Sequence, residues 1–248
     1  MSSAGSVAGI SFMPPSARST SADVLAVGAY GSVNWINSAS EPLVRGATAV
    51  LSVAVSDDAS QVAVGCLDKV MRLFDLSGTS TTASDWVGFD AGVSLVAFSS
   101  GSSWLAAAGG TNLLVVPRNL PIGEPPVLCR TPGTSAPDGA GGTCGRFTAL
   151  EWFRSHPLSA LAALEGRAGR LHVFDVASTD DAFPRRASRL YTVQLPGEGM
   201  ASALTYATSR TTTAAAEEAT QSQEQTQTAA SVIAVSRGNE LSGIQFII

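Results

Sequence analysis

The sequence has few of the residues on which charge-based recognition depends. Only 14% of its 248 residues are Asp, Glu, Lys or Arg, against about 25% in typical soluble domains. The 20 acidic residues outnumber the 15 Lys and Arg residues, which gives a net charge of -5. Because nucleic-acid binding relies on clustered basic side chains that neutralise phosphates, this composition argues against a nucleic-acid partner.

Cysteine and histidine are also scarce. The three cysteines, Cys66, Cys129 and Cys144, form an odd and sparse set that argues against a secreted disulfide framework. A Cys129–Cys144 pairing across a loop remains open, beside the reduced state expected inside a cell. The two histidines, His156 and His172, belong to no His-x-x-His or Cys-x-x-Cys pattern. We therefore expect neither a metal nor another cofactor.

Long apolar runs are missing as well. No stretch reaches the roughly 18 consecutive apolar residues that a membrane-spanning helix needs. The first residues, MSSAGSVAGISFMPP, have neither the basic start nor the apolar core of a signal peptide. The expectation is an intracellular, soluble protein, cytoplasmic or nuclear, without a membrane partner.

The sequence does contain a repeated pattern. Five segments share it, at 8–37, 51–76, 94–119, 148–176 and 202–247. In each, an alternating strand and a polar turn precede a strand of small apolar residues such as VAVG or LAAAG, and a second alternating strand follows. The period of roughly 40–45 residues, with several strands in each unit, predicts the blades of a β-propeller.

Alternation of apolar side chains favours strands over helices. In Met71-Arg-Leu-Phe74, Met71 and Leu73 share one face, and Arg72 and Phe74 share the other. Outer strands are expected in the linking segments, for example at 43–45 and 191–195. No segment shows a 3.6-residue apolar period, so the predicted fold class is all-β.

At this point the units resemble the WD40 repeat family. The second unit carries the resemblance most clearly, with a small-residue turn containing Asp68 and the aromatic–acid pair Phe74-Asp75; Phe174-Asp175 repeats that ending. The resemblance implies a WD40-like β-propeller in which Asp68 stabilises a turn and Phe74 packs between neighbouring sheets. It covers nearly the whole chain, which is predicted to be one domain over 1–248, with a loop insert at 130–146 and a low-complexity, disordered insert at 209–231.

The sequence also departs from that family. No unit has the Gly-His pair before its first strand, and the third unit ends in Val116-Pro117 instead of an aromatic–acid pair. The hydrogen-bonded tetrad that stabilises many family blades is therefore expected to be absent. Members most often have seven blades, whereas about five are recognisable here. This predicts a degenerate propeller that is either open or a fragment of a seven-bladed ring.

Few residues qualify as a functional site. His172 alternates with apolar residues in a strand and is expected to be a packed structural histidine, so no catalytic residue is assigned. Trp86 and Arg118 are proposed as a partner-contact patch, because interfaces favour these residue types. Ser188 ends an Arg-Arg-Ala-Ser motif that matches a basophilic kinase site or is an incidental basic turn.

These observations favour a non-catalytic WD40-repeat scaffold that binds other proteins within a multiprotein complex and has no small-molecule substrate. Two alternatives remain. A propeller-fold hydrolase or lactonase would need several polar side chains to converge at the channel mouth, and the sequence shows no such pattern. A truncated, non-functional fragment of a larger WD40 protein is the other alternative.

Overall fold

The computed structural model describes residues 7–12, 24–28, 32–35, 44–45, 48–76, 82–118, 127–130, 146–153, 160–176, 188–196, 200–209, 230–237 and 240–247. These residues form 19 strands and one short 3-10 helix, Ser100–Ser102, with no α-helix among them. The all-β prediction is confirmed.

The strands form five antiparallel sheets, each made of strands consecutive in the chain. The first sheet contains β1 (Val7–Phe12), β2 (Val24–Gly28), β3 (Ser32–Trp35) and β4 (Val44–Arg45). The second contains β5 (Val50–Val55), β6 (Gln61–Cys66), β7 (Met71–Asp75) and β8 (Thr82–Trp86). The third contains β9 (Leu95–Phe98), β10 (Trp104–Gly109), β11 (Asn112–Pro117) and β12 (Val127–Arg130).

The fourth sheet contains β13 (Phe147–Trp152), β14 (Ala160–Glu165), β15 (Arg170–Asp175) and β16 (Ser188–Gln194). The fifth contains β17 (Ala201–Ser209), β18 (Ala230–Arg237) and β19 (Glu240–Ile247). The first strands β1, β5, β9, β13 and β17 contact one another in chain order. This places the sheets side by side as the blades of a propeller.

The second strands of the second, third and fourth sheets are buried on both faces, which explains their small apolar residues. In β10, Trp104, Ala106 and Ala108 contact the fourth sheet, while Leu105 and Ala107 contact the second. All six residues of β10 are buried. Small side chains at these positions let two neighbouring sheets pack against one strand without a clash.

Four apolar cores lie between the five sheets. Val33 of the first sheet and Val50 of the second belong to the core between these two sheets. On β7, Met71 and Leu73 belong to the core between the second and third sheets, while Phe74 belongs to the core with the first. The predicted division of faces along this strand is confirmed.

The blades also repeat a backbone irregularity that the sequence does not reveal. A β-bulge interrupts the beginning of the first strand in four of the five sheets, after residues 7, 50, 147 and 201. Where the chain enters the third, fourth and fifth sheets, a backbone N–H donates to a carbonyl at or just after the end of the previous sheet's second strand. The pairs are Val93–Cys66 (2.9 Å), Phe147–Gly110 (3.2 Å) and Ala201–Gly166 (2.9 Å).

The predicted outer strands and inserts can be placed against these bounds. β4 pairs with β3, and β16 pairs with β15; both are outer strands, in the segments where outer strands were expected. β12 extends to Arg130, β17 extends to Ser209, and β18 begins at Ala230. The predicted insert 209–231 thus begins and ends in strands, and the predicted insert 130–146 begins in β12. Residues 131–145 and 210–229, His156, Cys144 and the side chain of Cys129 lie outside the described residues.

Replacing a leucine between two sheets should test this packing. Leu161 is completely buried in the core between the third and fourth sheets. We expect Leu161→Ala to lower the free energy of unfolding by about 2–5 kcal/mol, because it removes apolar contacts and leaves a cavity. Urea denaturation measures the change.

Leu67→Ala is the matched control for that variant. Leu67 lies in the turn between β6 and β7 and is 58% exposed, so its truncation should change stability by less than about 0.5 kcal/mol. Equal losses for the two variants would contradict the assignment of Leu161 to an inter-sheet core.

Candidate functional site

A cleft opens between the second and third sheets, beside the apolar core that joins them. Its volume is about 160 Å³, and both sheets supply its walls. The apolar walls are formed by Leu73, Trp86, Phe98, Leu105, Val116 and Pro117, and the polar ones by Gln61, Asp75, Ser84 and Arg118. Trp86 and Arg118, which the sequence suggested as a contact patch, therefore lie on the two sides of one cleft.

Trp86 ends β8, the outer strand of the second sheet, and lies opposite Met71 in the register. That position directs its side chain toward the third sheet, where it packs against the inter-sheet core. Its indole Nε1 is shielded from solvent, and no described residue accepts a hydrogen bond from it. By contrast, the Nε1 of Trp152 donates to the carbonyl of Ala97 at 3.0 Å.

Gln61 and Asp75 form a second polar part of the cleft wall. They are directly opposed across β6 and β7. The Oε1 atom of Gln61 is also shielded from solvent without a hydrogen-bond donor among the described residues. Because nearly all buried polar atoms in native proteins are hydrogen-bonded, an unpaired donor and an unpaired acceptor in one cleft need an explanation.

Arg118, at the end of β11, connects the third sheet to the second. Its Nη2 lies 2.6 Å from Oδ2 of Asp58, and it also donates to the hydroxyl of Ser60. Asp58 Oδ1 accepts further hydrogen bonds from the hydroxyl of Ser56 at 2.7 Å and the backbone N–H of Ser60 at 3.1 Å. Burial, the largest influence, raises the pKa of Asp58, but these hydrogen bonds together lower it well below its usual value.

Neighbouring residues add a second link at the same end of the two sheets. The backbone N–H of Asp57 donates to the hydroxyl of Ser102 at 2.6 Å, and Asp57 Oδ2 accepts from the backbone N–H of Gly101 at 2.6 Å. Gly101 has a φ of 72°, a conformation that glycine adopts without strain. Two turns are thereby joined across the end of the cleft.

Asp90 lies in the connection between β8 and β9 and binds the turn between β10 and β11 in the third sheet. Its Oδ2 accepts from the hydroxyl of Thr111 at 2.7 Å, and its Oδ1 accepts from the backbone N–H of Thr111 at 3.0 Å. Burial raises the pKa of Asp90, but the hydrogen bonds from Thr111 and the backbone outweigh it and lower the pKa overall. Asn112 Nδ2 donates to the Gly88 carbonyl at 2.8 Å. These contacts fix the connection that leaves the second sheet against the third sheet, at the end opposite Arg118.

Asp68 lies in the turn between β6 and β7. Arg72 binds it with two contacts, Nη2–Oδ2 at 2.7 Å and Nη1–Oδ1 at 3.2 Å, and the backbone N–H of Val70 donates to its Oδ1 at 3.3 Å. The hydrogen bonds from Arg72 lower the pKa of Asp68 more than its burial raises it. These contacts close the turn and fix its position relative to β7.

The aromatic–acid pairs lie at corresponding positions of two sheets. Phe74 is opposite Val62, and Phe174 is opposite Leu161; both rings are buried between sheets. Asp75 lies in the cleft wall, whereas Asp175 is opposite Ser188, the first residue of β16. The basic residues of the Ser188 motif lie outside the described part of the chain.

The fourth sheet contains a polar ladder centred on two buried residues, Glu165 and His172. His172 Nε2 lies 3.1 Å from Oε2 of Glu165, and its Nδ1 lies 3.0 Å from Oγ1 of Thr192. Arg170 holds the same carboxylate, with Nη2 at 3.0 Å from Oε1 and Nε at 2.9 Å from Oε2. A histidine protonated on Nε2 can donate to Glu165 and accept from Thr192.

The order threonine, histidine, glutamate resembles that of a nucleophile, a base and an orienting carboxylate. However, every contact joins opposed or adjacent positions of β14, β15 and β16, and Glu165 is shared with Arg170. The His172 ring also packs edge-on to Phe147 at 6.3 Å between centroids. We therefore interpret the ladder as cross-strand packing within the sheet.

In the second sheet, Cys66, Arg72 and Asp85 lie at the positions that correspond to Glu165, His172 and Thr192 of the fourth sheet. Arg72 is opposite Val64 as His172 is opposite Ala163, and Asp85 is opposite Arg72 as Thr192 is opposite His172. Arg72 contacts the thiol of Cys66, which is free and buried, and lies 3.7 Å from Asp85. Burial raises the pKa of the Cys66 thiol despite the nearby guanidinium. Sequence reasoning missed Glu165 and Thr192, because their meeting depends on register.

Two further results concern the described residues alone. They contain no group of three or more His, Cys, Asp or Glu side chains placed to hold a metal ion. Among them there is also no helix long and apolar enough to cross a membrane.

The sequence matches no family model and no curated protein. Solved structures do match. A chain in the crystal structure of the mitotic checkpoint complex is similar with a TM-score of 0.58 and 12% identity, over 91% of this chain and 59% of that chain. The Cps50 (Swd1) β-propeller domain of Myceliophteria thermophila matches with a TM-score of 0.55 and 12% identity, over 76% of this chain and 58% of that one.

At 12% identity these similarities establish the fold, which is a WD40-like β-propeller that is partly open. The predicted fold class is thus confirmed. The chain spans less than two thirds of the length of each of these two structures, at 59% and 58%. Because 856 solved chains match, the fold does not identify a function without the site.

The polar ladder should contribute measurably to stability. We expect Glu165→Gln to lower the free energy of unfolding by about 3 kcal/mol, because it leaves Arg170 and His172 without the buried charge that binds both. Thr192→Val removes one hydrogen bond and should cost about 1 kcal/mol. Urea denaturation of both variants measures the difference, and a larger loss for Thr192→Val would contradict the central position of Glu165.

Stability should fall in acid because the pKa values of Asp58, Asp68 and Asp90 are lowered in the folded state. An unfolded Asp has a pKa of about 3.9. Below that value the unfolded chain binds more protons than the folded chain, so the stabilisation is fully present above about pH 5 and is lost progressively as the pH falls. Denaturant titrations from neutral pH to pH 3 measure this loss.

Asp58→Asn provides the comparison for the pH series. This variant lacks one of the three titrating groups, so its stability should be lower at neutral pH and should fall less steeply in acid. An unchanged slope would show that the ion pair between Asp58 and Arg118 does not contribute to folding.

Proposed function

We propose that this chain is a degenerate WD40-repeat protein that acts as a non-catalytic, intracellular scaffold for other proteins in a multiprotein complex. The observation that supports this function best is the cleft between the second and third sheets, where an aromatic residue and a cation lie beside apolar walls. Trp and Arg are the residues that most often dominate binding energy at protein interfaces. The matched structures provide coarser support, because one of them is a chain of the mitotic checkpoint complex.

The small volume of the cleft favours a partner protein over a small-molecule ligand. Ligand sites for cofactor-sized molecules are typically about 300–1,000 Å³, whereas this cleft is about 160 Å³. A partner protein can insert one side chain into such a cleft and use the surrounding surface for the remaining contacts. The low positive charge of the chain disfavours a nucleic-acid partner on the same grounds as before.

Affinity capture of the full tagged chain, followed by mass spectrometry and reconstitution with the purified partner, tests the scaffold function. We expect a saturable complex with a defined stoichiometry in calorimetry. Recovery of no stable protein partner, together with a bound metal in elemental analysis and hydrolytic activity, would instead support the enzyme alternative.

Two aromatic variants test whether the cleft is the contact surface. Trp86→Ala should weaken the reconstituted complex by about 30-fold, as expected for a central interface residue. Tyr191→Ala is the matched control, because Tyr191 is an aromatic residue on the outer strand of the fourth sheet and is 58% exposed. Equal affinities for Trp86→Ala and the wild-type chain would remove the cleft from the interface and leave the scaffold function standing.

A further inference from the structure

The outer strand of the fifth sheet has one edge that no described strand covers. In each of the other four sheets, the third strand pairs with a fourth strand. The third strand of the fifth sheet, β19, pairs with β18 along its whole length, and among the described residues no strand pairs with its other edge. Such an edge presents backbone N–H and C=O groups that can bind another strand.

The residue types of β19 do not oppose such binding. Soluble proteins commonly protect a sheet edge by keeping the strand short or by placing charged residues or proline in it. In the first four sheets, β4 has two residues, β8 contains Asp85, β12 contains Arg130 and β16 contains Arg189. The only charged residue of β19 is Glu240, at its first position, and residues 241–247 include neither a charge nor a proline. Of the outer strands, β19 is therefore the least protected.

The uncharged run is suited to pairing with its own copy. A two-fold axis through an antiparallel strand pair places one residue opposite itself, and Ile244 is the middle residue of 241–247. Pairing centred on Ile244 uses the complete run, opposes Leu241 to Ile247 and leaves Glu240 outside the pair. No like charges are then opposed, and a β-branched residue is opposed to its own copy at the axis. Both features favour sheet pairing.

From this placement we infer that the outer edge of β19 binds a second copy of this chain, so that the fifth sheets of two copies form one continuous antiparallel sheet. The interface is isologous, because each copy contributes the same strand. Pairing therefore uses the edge of both copies and ends at a dimer. The inference goes beyond the proposed scaffold function and does not depend on it, because the cleft lies between the second and third sheets.

Sedimentation velocity of the full chain over a range of concentrations tests for the dimer. We expect a reversible equilibrium between one chain and two, without larger species. Trp86→Ala should leave this equilibrium unchanged, since Trp86 lines the cleft of another sheet. Three results would overturn the inference: the mass of one chain at every concentration, growth beyond two chains, or loss of the dimer in Trp86→Ala.

Cysteine substitution tests the register of the pair. Opposed residues of antiparallel strands have Cα atoms about 4.5–5.5 Å apart, which is within the range that a disulfide bridges. Ile244→Cys should therefore link two copies on mild oxidation, which doubles the mass in non-reducing electrophoresis.

Ser242→Cys is the matched control for the cross-linking. It has the same native cysteines, and the proposed register separates its two copies by four positions along the strand, or about 13 Å, so it should give no linked product. Equal linking of the two variants, or no linking of Ile244→Cys, would contradict the pairing of β19 with its own copy.

Charged residues in β19 provide a readout that needs no cysteine. In the proposed register the two copies of Gln245 are diagonal neighbours, about 7–8 Å apart. Gln245→Lys and Gln245→Glu should each weaken the dimer by about fivefold through repulsion between like charges, and an equal mixture of the two should restore it. Gln245→Ala, which adds no charge, should dimerise as the wild-type chain does. Equal affinities for both charged variants and their mixture would remove β19 from the interface and overturn the inference.

Discussion

The structure depends on the burial of both faces of the second strands. β10 and β14 each have six buried residues, and their alternate side chains enter two different inter-sheet cores. Small side chains at the middle of these strands let the sheets on both sides approach closely, which accounts for Ala106, Ala107, Ala162 and Ala163. Because neighbouring sheets bury their apolar faces against each other, the blades stabilise one another.

Polar contacts then fix how closely neighbouring sheets approach at their ends. Arg118 and Asp57 link the second and third sheets at one end, and at the other end Asp90 fixes the connection between them to the third sheet. The apolar core fills the space between these contacts, but not as far as the outer strand β8. The cleft therefore exists because apolar side chains do not fill the whole space between the two sheets. Trp86 lies at the edge of the apolar core, where the cleft begins.

Much of this fold could be predicted from the sequence because strand alternation is a local property. The pattern of Met71 to Phe74 identified both the strand and its two faces, and the small apolar runs located the second strands. The ends of the inserts could not be predicted, since the backbone pairing that extends β17 and β18 does not need apolar side chains. Glu165, His172 and Thr192 could not be grouped either, because their contacts depend on the register of three strands separated by turns and by residues 177–187.

The register also explains how blades fold without the tetrad that the resemblance would imply. Corresponding positions hold Cys66, Arg72 and Asp85 in the second sheet, and Glu165, His172 and Thr192 in the fourth. In the third sheet the corresponding residues on the second and third strands are Gly109 and Leu114, so the same place is filled by packing.

In the second and fourth sheets, a polar residue at the end of the second strand thus occurs together with polar residues on the third and fourth strands. In the third sheet, the residues at the corresponding positions of the second and third strands are both non-polar. This correlation follows from the cost of burying an unpaired polar group. The second and fourth sheets each pair these polar groups within the sheet, and the residue types at the corresponding positions differ between the two sheets. Such a repeat retains its backbone geometry, including the bulge and the inter-sheet hydrogen bond, after most of its sequence signature has been lost.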